Sequence, residues 1–423
     1  MNILMVTNTY LPMVGGVARS VASFTEEFRR QGHRVLVVAP TYEGLPEQEE
    51  GVLRVPAIQH FNGSDFSVRL PVPVALSSVI DTFAPDIVHS HHPFLLGDTA
   101  LRIATLRDLP IVFTHHTMYE QYTHYVPVGA TALKGFVSRL ATEYANLCDH
   151  VIAPSESIAA VLRERGVTTP ITVVPTGIDP KRFARGSGRA ARRRYGVPPA
   201  AFVVGHVGRL APEKNLGFLA RAVAAFVAAD ERACFLVVGS GPSQDEIRSA
   251  FAERGLADRL FLTGPLEGKE LADAYHAMNV FAFASQTETQ GMVVAEAMTA
   301  GVPVVAVDAP GVREVVRDGR NGRLLSGEDE AAFAAALRWV ADVPPAKYRA
   351  LVRAARDTAK EFALERCARR VLDVYSRLLK EQRRPRPEDD NPWTQTLRLV
   401  EAEWNLWGAR VGAAVKALVN ACL

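Results

Sequence analysis

The sequence predicts an α/β fold of two domains, each a doubly wound parallel sheet, followed by a helical extension at the C-terminal end. Three observations predict it. Short β-branched runs alternate with helical stretches along most of the chain. The runs are apolar on both faces, the pattern of strands covered by helices above and below. The 423 residues suffice for two large domains, at roughly 100–200 residues each. The right-handed crossover of parallel β-α-β units then gives Rossmann-like layers.

In the first half the strand-like runs are Ile3–Thr7, Val35–Ala39, Ile87–Ser90, Ile111–His115, Val151–Ala153 and Ile171–Val174. In the second half they are Phe202–Val207, Phe235–Val238, Leu260–Thr263, Val280–Ala284 and Val304–Val307. Between the two series, residues 175–199 hold Pro175, Gly177, Pro180, Gly186, Gly188, Gly196, Pro198 and Pro199, with seven basic residues from Lys181 to Arg194. Turn formers at that density predict an interdomain connection. The domains are therefore read as 1–180 and 181–360, with a cleft between them and ligands at the carboxyl ends of the strands. Residues 361–382 read as one helix packing back toward the first domain. A basic, proline-rich linker begins at Arg383. It leads to an amphipathic helix, 393–423, whose apolar seam runs Trp393, Leu397, Val400, Trp404, Trp407, Val411, Ala414, Leu418 and Ala421.

Composition narrows the function classes. Hydrophobic residues at 48% and charged residues at 22% exclude a largely disordered or fibrous chain. A balance of 48 Lys+Arg against 46 Asp+Glu excludes a general nucleic-acid binder. The basic run Lys181–Arg194 has only Phe183 and Tyr195 nearby for base stacking, so a solvated linker or a contact with anionic lipid is the better reading. Cys148, Cys234, Cys367 and Cys422 stand far apart and read as core or incidental thiols. Met1–Thr7 runs straight into a strand with no leader pattern. No run of about 18 uncharged apolar residues follows. A cytosolic chain with no transmembrane helix is expected.

Four sets of residues carry candidate chemistry. Gly15-Gly16 follows the first strand and opens a helix, where close backbone approach and unpaired N–H groups suit a phosphate; a plain tight turn is the alternative. Arg209 and Lys214 follow Phe202–Val207 and suit a diphosphate; a solvated loop with a Glu213–Lys214 surface pair is the alternative. Glu288 and Glu296 stand eight residues apart. On a helix that is about 12 Å of rise, too far for an acid–base pair at one bond, so they suit different parts of one extended ligand. Glu296 lies in an otherwise apolar helix and needs a partner, for which sugar hydroxyls qualify. Six of the eleven histidines, His89, His91, His92, His115, His116 and His124, cluster at the ends of two strands. They read as the polar lining of a cleft rather than a zinc site, because no carboxylate or Cys completes a ligand set. No DxD occurs, which favours a metal-free site in which Arg, Lys and helix N-termini take the leaving-group charge.

Glu288-x7-Glu296, with Ala297–Ala306 after it, resembles the signature of retaining glycosyltransferases of family 4, which have the GT-B fold. Gly15-Gly16-Val17, Val174–Asp179 and Gly208-Arg209 through Lys214 match the same family in order, over about residues 1–380. More finely, Thr114–Tyr125 and Thr287-Glu288-Thr289-Gln290-Gly291 resemble bacterial diacylglycerol glucosyltransferases; the commoner family pattern has an aromatic where Gln290 stands. The resemblance implies a UDP-sugar donor and a diacylglycerol acceptor, beside the metal-free site that the missing DxD favours. It assigns backbone contact with the diphosphate to Gly16, the diphosphate to Arg209 and Lys214, the ribose to Glu296 and the donor sugar to Glu288. Gln290, Gly291 and Met292 supply neighbouring backbone groups. His116 matches the histidine near the reacting sugar, and the turn Gly264-Pro265-Leu266 would meet the base.

The expected activity is retaining transfer of a hexose, glucose, from a UDP-sugar to a lipid hydroxyl, that of diacylglycerol, by a peripheral protein on the inner face of the cell membrane. A soluble or polysaccharide acceptor, and a non-catalytic nucleotide-sugar-binding scaffold, are the alternatives; the intact Arg209, Lys214, Glu288 and Glu296 argue against the scaffold. Two segments are candidates for the membrane surface. One is Thr131–Leu147, with Leu133, Phe136, Val137, Leu140, Tyr144 and Leu147 on one face beside Lys134 and Arg139. The other is the Trp-bearing tail. Ordinary packing is the alternative for the first, and dimerisation or docking on the body for the second.

Overall fold

The computed structural model describes residues 1–13, 15–46, 49–56, 77–118, 130–286 and 288–382, with the backbone alone at 130–133. The Trp-bearing tail, the linker before it, His124 and the rest of 119–125 lie outside the described residues. The chain forms two units: Met1–Pro175 with the chain from Cys367 onward, and Thr176–Arg366.

The first unit contains β1 (Asn2–Val6), β2 (Arg34–Pro40), β3 (Val52–Val55), β4 (Ile87–Ser90), β5 (Ile111–Thr114), β6 (His150–Ala153) and β7 (Ile171–Val173). They form one sheet in the order β3-β2-β1-β4-β5-β6-β7, parallel throughout. Between them run α1 (Gly16–Arg30), α2 (Ser77–Phe83), α3 (Leu96–Leu106), α4 (Ala130–Asn146) and α5 (Glu156–Glu164). One core layer joins Leu4, Val6, Val88, Phe113 and Val151 of the strands to Leu96 and Ala100 of α3 and Ile158 and Leu162 of α5. The start of α5 follows from Ser155, whose Oγ accepts from the Ile158 N–H at 3.3 Å.

The second unit contains β8 (Phe202–Val207), β9 (Ala233–Val238), β10 (Leu260–Leu262), β11 (Val280–Phe283), β12 (Val304–Val307) and β13 (Gly322–Leu325), in the order β10-β9-β8-β11-β12-β13. All neighbours are again parallel. Its helices are α6 (Pro180–Phe183), α7 (Gly188–Arg194), α8 (Leu216–Ala228), α9 (Gln244–Ala252), α10 (Gly268–Ala277), α11 (Met292–Ala300), α12 (Glu330–Asp342) and α13 (Pro345–Glu361). Strand alternation sends Val203, Leu236, Phe281 and Phe283 into one apolar layer and Val204, Phe235, Val237 and Ala282 into the other. Both sheets are doubly wound. The order reverses between β1 and β4 in the first and between β8 and β11 in the second, and such switch points hold the ligand crevice in this architecture.

The structure departs from the sequence reading at four places. β3 and β13 were not among the expected strands. Both are sheet edges, short and half-buried, and each carries an arginine, Arg54 and Arg323. Residues 176–199 are not a loose connection, because the chain passes between units at Pro175 and Thr176 and the basic run folds as α6 and α7 inside the second unit. A Cβ on Gly188 would lie 2.1 Å from the His276 carbonyl oxygen, so that glycine lets α7 close on α10. Arg192 donates to the carbonyls of Pro199, Ala201 and Ala277 at 2.7–3.1 Å, which makes it a structural clamp rather than a solvated charge. The last described helix, α14 (Leu364–Gln382), begins after a break at Phe362 and Ala363. There the Ile178 N–H donates to Phe362 O and the Leu364 N–H donates to Ile178 O, each at 2.8 Å. From Cys367 onward α14 belongs to the first unit, where the Tyr375 hydroxyl lies 2.5 Å from His89 Nδ1.

Candidate active site

At the second unit's switch point, loops from β8 and β11 meet. After β8 the chain runs through Gly208, Arg209 and Leu210 into a 3-10 turn, Pro212–Lys214. The loop is pinned by Leu210, whose N–H donates to Ser240 O at 2.9 Å and whose carbonyl accepts from Ser243 N–H at 2.8 Å. A Cβ on Gly239 would lie 1.9 Å from Gly208 O, so only glycine allows the β8 and β9 ends to approach this closely. Gly239 N–H in turn donates to Gly264 O at 2.9 Å, which brings the turn before half-buried Leu266 to the same end of the sheet.

The alternative of a solvated loop with a Glu213–Lys214 surface pair gives way to longer reaches. Glu213 instead accepts from Arg209, and Lys214 reaches across to Glu288 on the β11 loop. Lys214 and Glu288 are 20% and 18% exposed, so both still meet solute, and Arg209 is exposed at 57%. Beside them starts α11. Its first residue, Met292, follows Gly291 in the left-handed region, and Gly291 has no side chain with which to cap the N–H groups of the first turn. Gln290 is buried, with its Oε1 accepting from Thr176 N–H at 2.6 Å. Glu296, one turn into α11, is buried and accepts from the Tyr275 hydroxyl of α10 at 2.7 Å. The polar partner required of Glu296 is thus supplied by tyrosine, which a motif reading does not single out.

In the first unit, α1 starts at Gly16 after Gly15 in extended conformation, again with no side-chain cap. A Cβ on either glycine would meet no described atom within 4 Å. Packing among the described residues does not require these glycines, which fits a place kept open for close approach of something else.

The expected lining of histidines resolves mostly into structure. His89, His91, His92 and His115 are buried. His89 is held between the Tyr375 hydroxyl and Thr114 Oγ1, at 2.5 and 2.6 Å. His92 Nδ1 accepts from Asn8 N–H at 3.0 Å. His116 is half-buried, and its Nε2 lies 2.8 Å from His91 Nδ1 with the rings stacked. Burial first, and then the neighbouring histidines, push His91 and His116 well below the usual imidazole value, so both are neutral. The apolar face proposed for Thr131–Leu147 also divides. Tyr144 is buried, its hydroxyl donating to Ser90 Oγ and Gly97 O at 2.7 and 2.9 Å, while Phe136, Val137 and Leu140 are half-buried and Lys134 is exposed. Among the described residues no group of three or more His, Cys, Asp or Glu side chains is placed to hold a metal ion. None of the described helices is long and apolar enough to cross a membrane.

One polar residue at the switch point was not singled out from sequence. His206, the fifth residue of β8, is buried against Phe281 and Phe283. The signal was a histidine inside an apolar strand two residues before Gly208.

Two family models match the chain. The one described as Glycosyltransferase Family 4 matches residues 14–182, and the one described as Glycosyl transferases group 1 matches residues 201–342. A GDP-mannose-dependent alpha-mannosyltransferase of Corynebacterium glutamicum is 30% identical over 387 residues, 89% of either chain. An alpha-monoglucosyldiacylglycerol synthase of Streptococcus pneumoniae is 28% identical over 340 residues, 79% of this chain and 77% of its own. The crystal structure of Anabaena HepE in complex with UDP superposes with a TM-score of 0.71 at 22% identity, covering 89% of this chain and all of the other. It has the same architecture of two Rossmann-like domains.

Proposed function

The chain belongs to glycosyltransferase family 4 and is a hexosyltransferase, and from that membership we propose that it moves glucose from a UDP-sugar to the free hydroxyl of diacylglycerol at a membrane surface, with retained configuration. The observation that carries the reading is the meeting of Lys214 and Glu288 beside Arg209 and the uncapped N-terminus of α11, at the carboxyl ends of β8 and β11. Two cations and a helix N-terminus suit a diphosphate leaving group, and a carboxylate suits sugar hydroxyls. In the reaction, the bond from the sugar's anomeric carbon to the diphosphate oxygen breaks. The acceptor oxygen bonds to that carbon on the same face, and its proton passes to the departing diphosphate. Arg209 and Lys214 stabilise charge that grows along this path. In the first unit, taken by itself, Gly15 and Gly16 with the first N–H groups of α1 are a separate candidate for phosphate oxygens. The loop after β10, at Leu266, takes the base, and Glu296 the ribose. No metal is assigned a role.

The glycolipid reading is supported by the Thr114–Tyr125 and Thr287–Gly291 motifs and by the named activity of the pneumococcal relative. The corynebacterial relative favours a second reading, a GDP-mannose donor. Labelled UDP-glucose, UDP-galactose and GDP-mannose, each offered with diacylglycerol in mixed micelles, separate them. Labelled glycolipid from UDP-glucose is the expected result. Product from GDP-mannose alone would move the donor to the second reading, and no lipid product from any donor would defeat the lipid acceptor.

A further inference from the structure

His206 has no task in the proposed transfer, yet its side chain is buried. Its ring lies 6.1 Å from both Phe281 and Phe283, within 10° and 19° of parallel. Nδ1 is 3.1 Å from the carbonyl oxygen of Ala282 on the neighbouring strand. A carbonyl oxygen only accepts, so Nδ1 carries the ring hydrogen and Nε2 presents a bare lone pair. Burial brings His206 down to about 4, with the Ala282 bond opposing, so the ring is uncharged near neutral pH. Nε2 has no hydrogen-bond partner among the described residues. A Cβ built on Gly208 would have Nε2 3.6 Å away and no other described atom within 4 Å. The nitrogen is buried beneath Gly208, the residue that precedes Arg209, and apart from that residue's chain neighbours no described atom covers the side where a Gly208 side chain would stand. Lys214 and Glu288 are near enough for their charges to act on the ring.

We propose that His206 is a specificity-determining residue of the donor site, its Nε2 accepting a hydrogen bond from one hydroxyl of the transferred hexose. A lone pair selects its guest. Diphosphate oxygens bring lone pairs of their own and are repelled, whereas a sugar hydroxyl has a hydrogen to donate. Satisfying a buried acceptor that otherwise has no partner also makes the contact sensitive to which hydroxyl is present, since an analogue lacking it leaves Nε2 unpaired.

The inference rests on reading the second unit as a nucleotide-sugar site, and the test separates the two. His206→Asn keeps an amide N–H at the Nδ1 position for Ala282 and has nothing at Nε2; His206→Gln places an amide oxygen near the Nε2 position. Donor KM, kcat and the affinity for the free nucleoside diphosphate are measured on the full chain, with UDP-glucose, GDP-mannose and monodeoxy donors. His206→Asn is expected to raise the donor KM about 3- to 10-fold, with a smaller change in kcat and unchanged nucleoside diphosphate affinity. His206→Gln should recover much of the KM. One monodeoxy donor should be penalised by the wild type and not by His206→Asn. A wild-type donor KM in His206→Asn, or an equal loss of nucleoside diphosphate affinity, overturns the proposal while the transferase reading stands. If His206→Asn does not fold, a donor KM in His206→Gln raised more than about 10-fold overturns it. A wild type that transfers from no donor overturns both.

Discussion

Gly16→Ala separates stability from chemistry at the start of α1. Gly16 is the first residue of the helix, its φ is not positive, and an added Cβ meets no described atom within 4 Å. Among the described residues nothing resists the methyl, and alanine is the better helix former by about 0.5–1 kcal/mol in a helix interior. The variant should therefore be as stable as the wild type, or more stable by a few tenths of that scale up to about 1 kcal/mol. The methyl does occupy the space over the first free N–H groups. If a donor phosphate packs there, it is displaced and at least one charge-assisted hydrogen bond is lost. At about 1.5–3 kcal/mol per bond that is roughly 10- to 150-fold in kcat/KM. The assay pairs urea unfolding with initial rates on the donor identified by the micelle experiment. Full activity with unchanged stability would show that no ligand uses the open face of Gly16. A marked loss of stability would show that the glycine serves the fold.

Lys214→Ala and Arg209→Ala should each lower kcat/KM by about 10²- to 10³-fold, the usual cost of removing a group that stabilises developing charge; near-normal turnover in both would remove them from the diphosphate. Transfer should persist in excess EDTA with the donor saturating, and abolition that added Mg²⁺ or Mn²⁺ reverses would overturn the metal-free mechanism. Acid should weaken both units. His89 and His206 titrate at about 3 and about 4 when folded, against 6.5 for the ordinary imidazole. Their neutral burial is therefore stabilising above about pH 6.5 and is lost as pH falls toward those values, at about 2 kcal/mol for each between pH 7 and pH 5. Burial lowers His91 and His116 in the same direction. Urea midpoints at pH 7 and 5 measure this, and equal midpoints would refute it.

The sequence made the sheets legible because parallel strands covered on both faces are continuous apolar runs. Phe202–Val207, Val304–Val307 and Ile87–Ser90 are found where the runs lie. Edge strands carry less of that signal, and Val52–Val55 and Gly322–Leu325, each with an arginine, were lost. The glycines of 186–196 looked like a linker because a glycine that lets two helices touch and a glycine in a loop are the same letter; Gly188 against His276 shows which it is. In the candidate site, residues on one loop were legible and partners across loops were not. Lys214 meets Glu288 from 74 positions away, and Tyr275 meets Glu296 from 21. No periodicity encodes those separations: the β8–β11 switch creates the first, and the packing of α10 on α11 creates the second. The grouped histidines misled for a related reason. Their number suggested chemistry, while His89 is bound on both ring nitrogens to Tyr375 and Thr114.

The Lys214–Glu288 pair explains why the site's cations stand ready without drawing the loops apart. A fully buried pair would pay a large desolvation cost and resist exchange of partners. A fully exposed pair would contribute little and leave both side chains mobile. At 20% and 18% exposure, this pair lies between those limits. On the proposed reading a diphosphate shares Lys214 with Glu288, and a hexose shares Glu288 with Lys214. The two halves of a nucleotide sugar satisfy both at once, whereas a nucleoside diphosphate satisfies only the lysine. Glu288→Gln should therefore bind the nucleoside diphosphate more tightly, by about 5-fold if roughly 1 kcal/mol of competition is removed, while transferring sugar more slowly. Calorimetric titration with UDP and GDP, set beside initial rates, tests both halves of the claim. Weaker nucleoside diphosphate binding in Glu288→Gln would mean that the carboxylate positions Lys214 for the phosphates instead of competing for it.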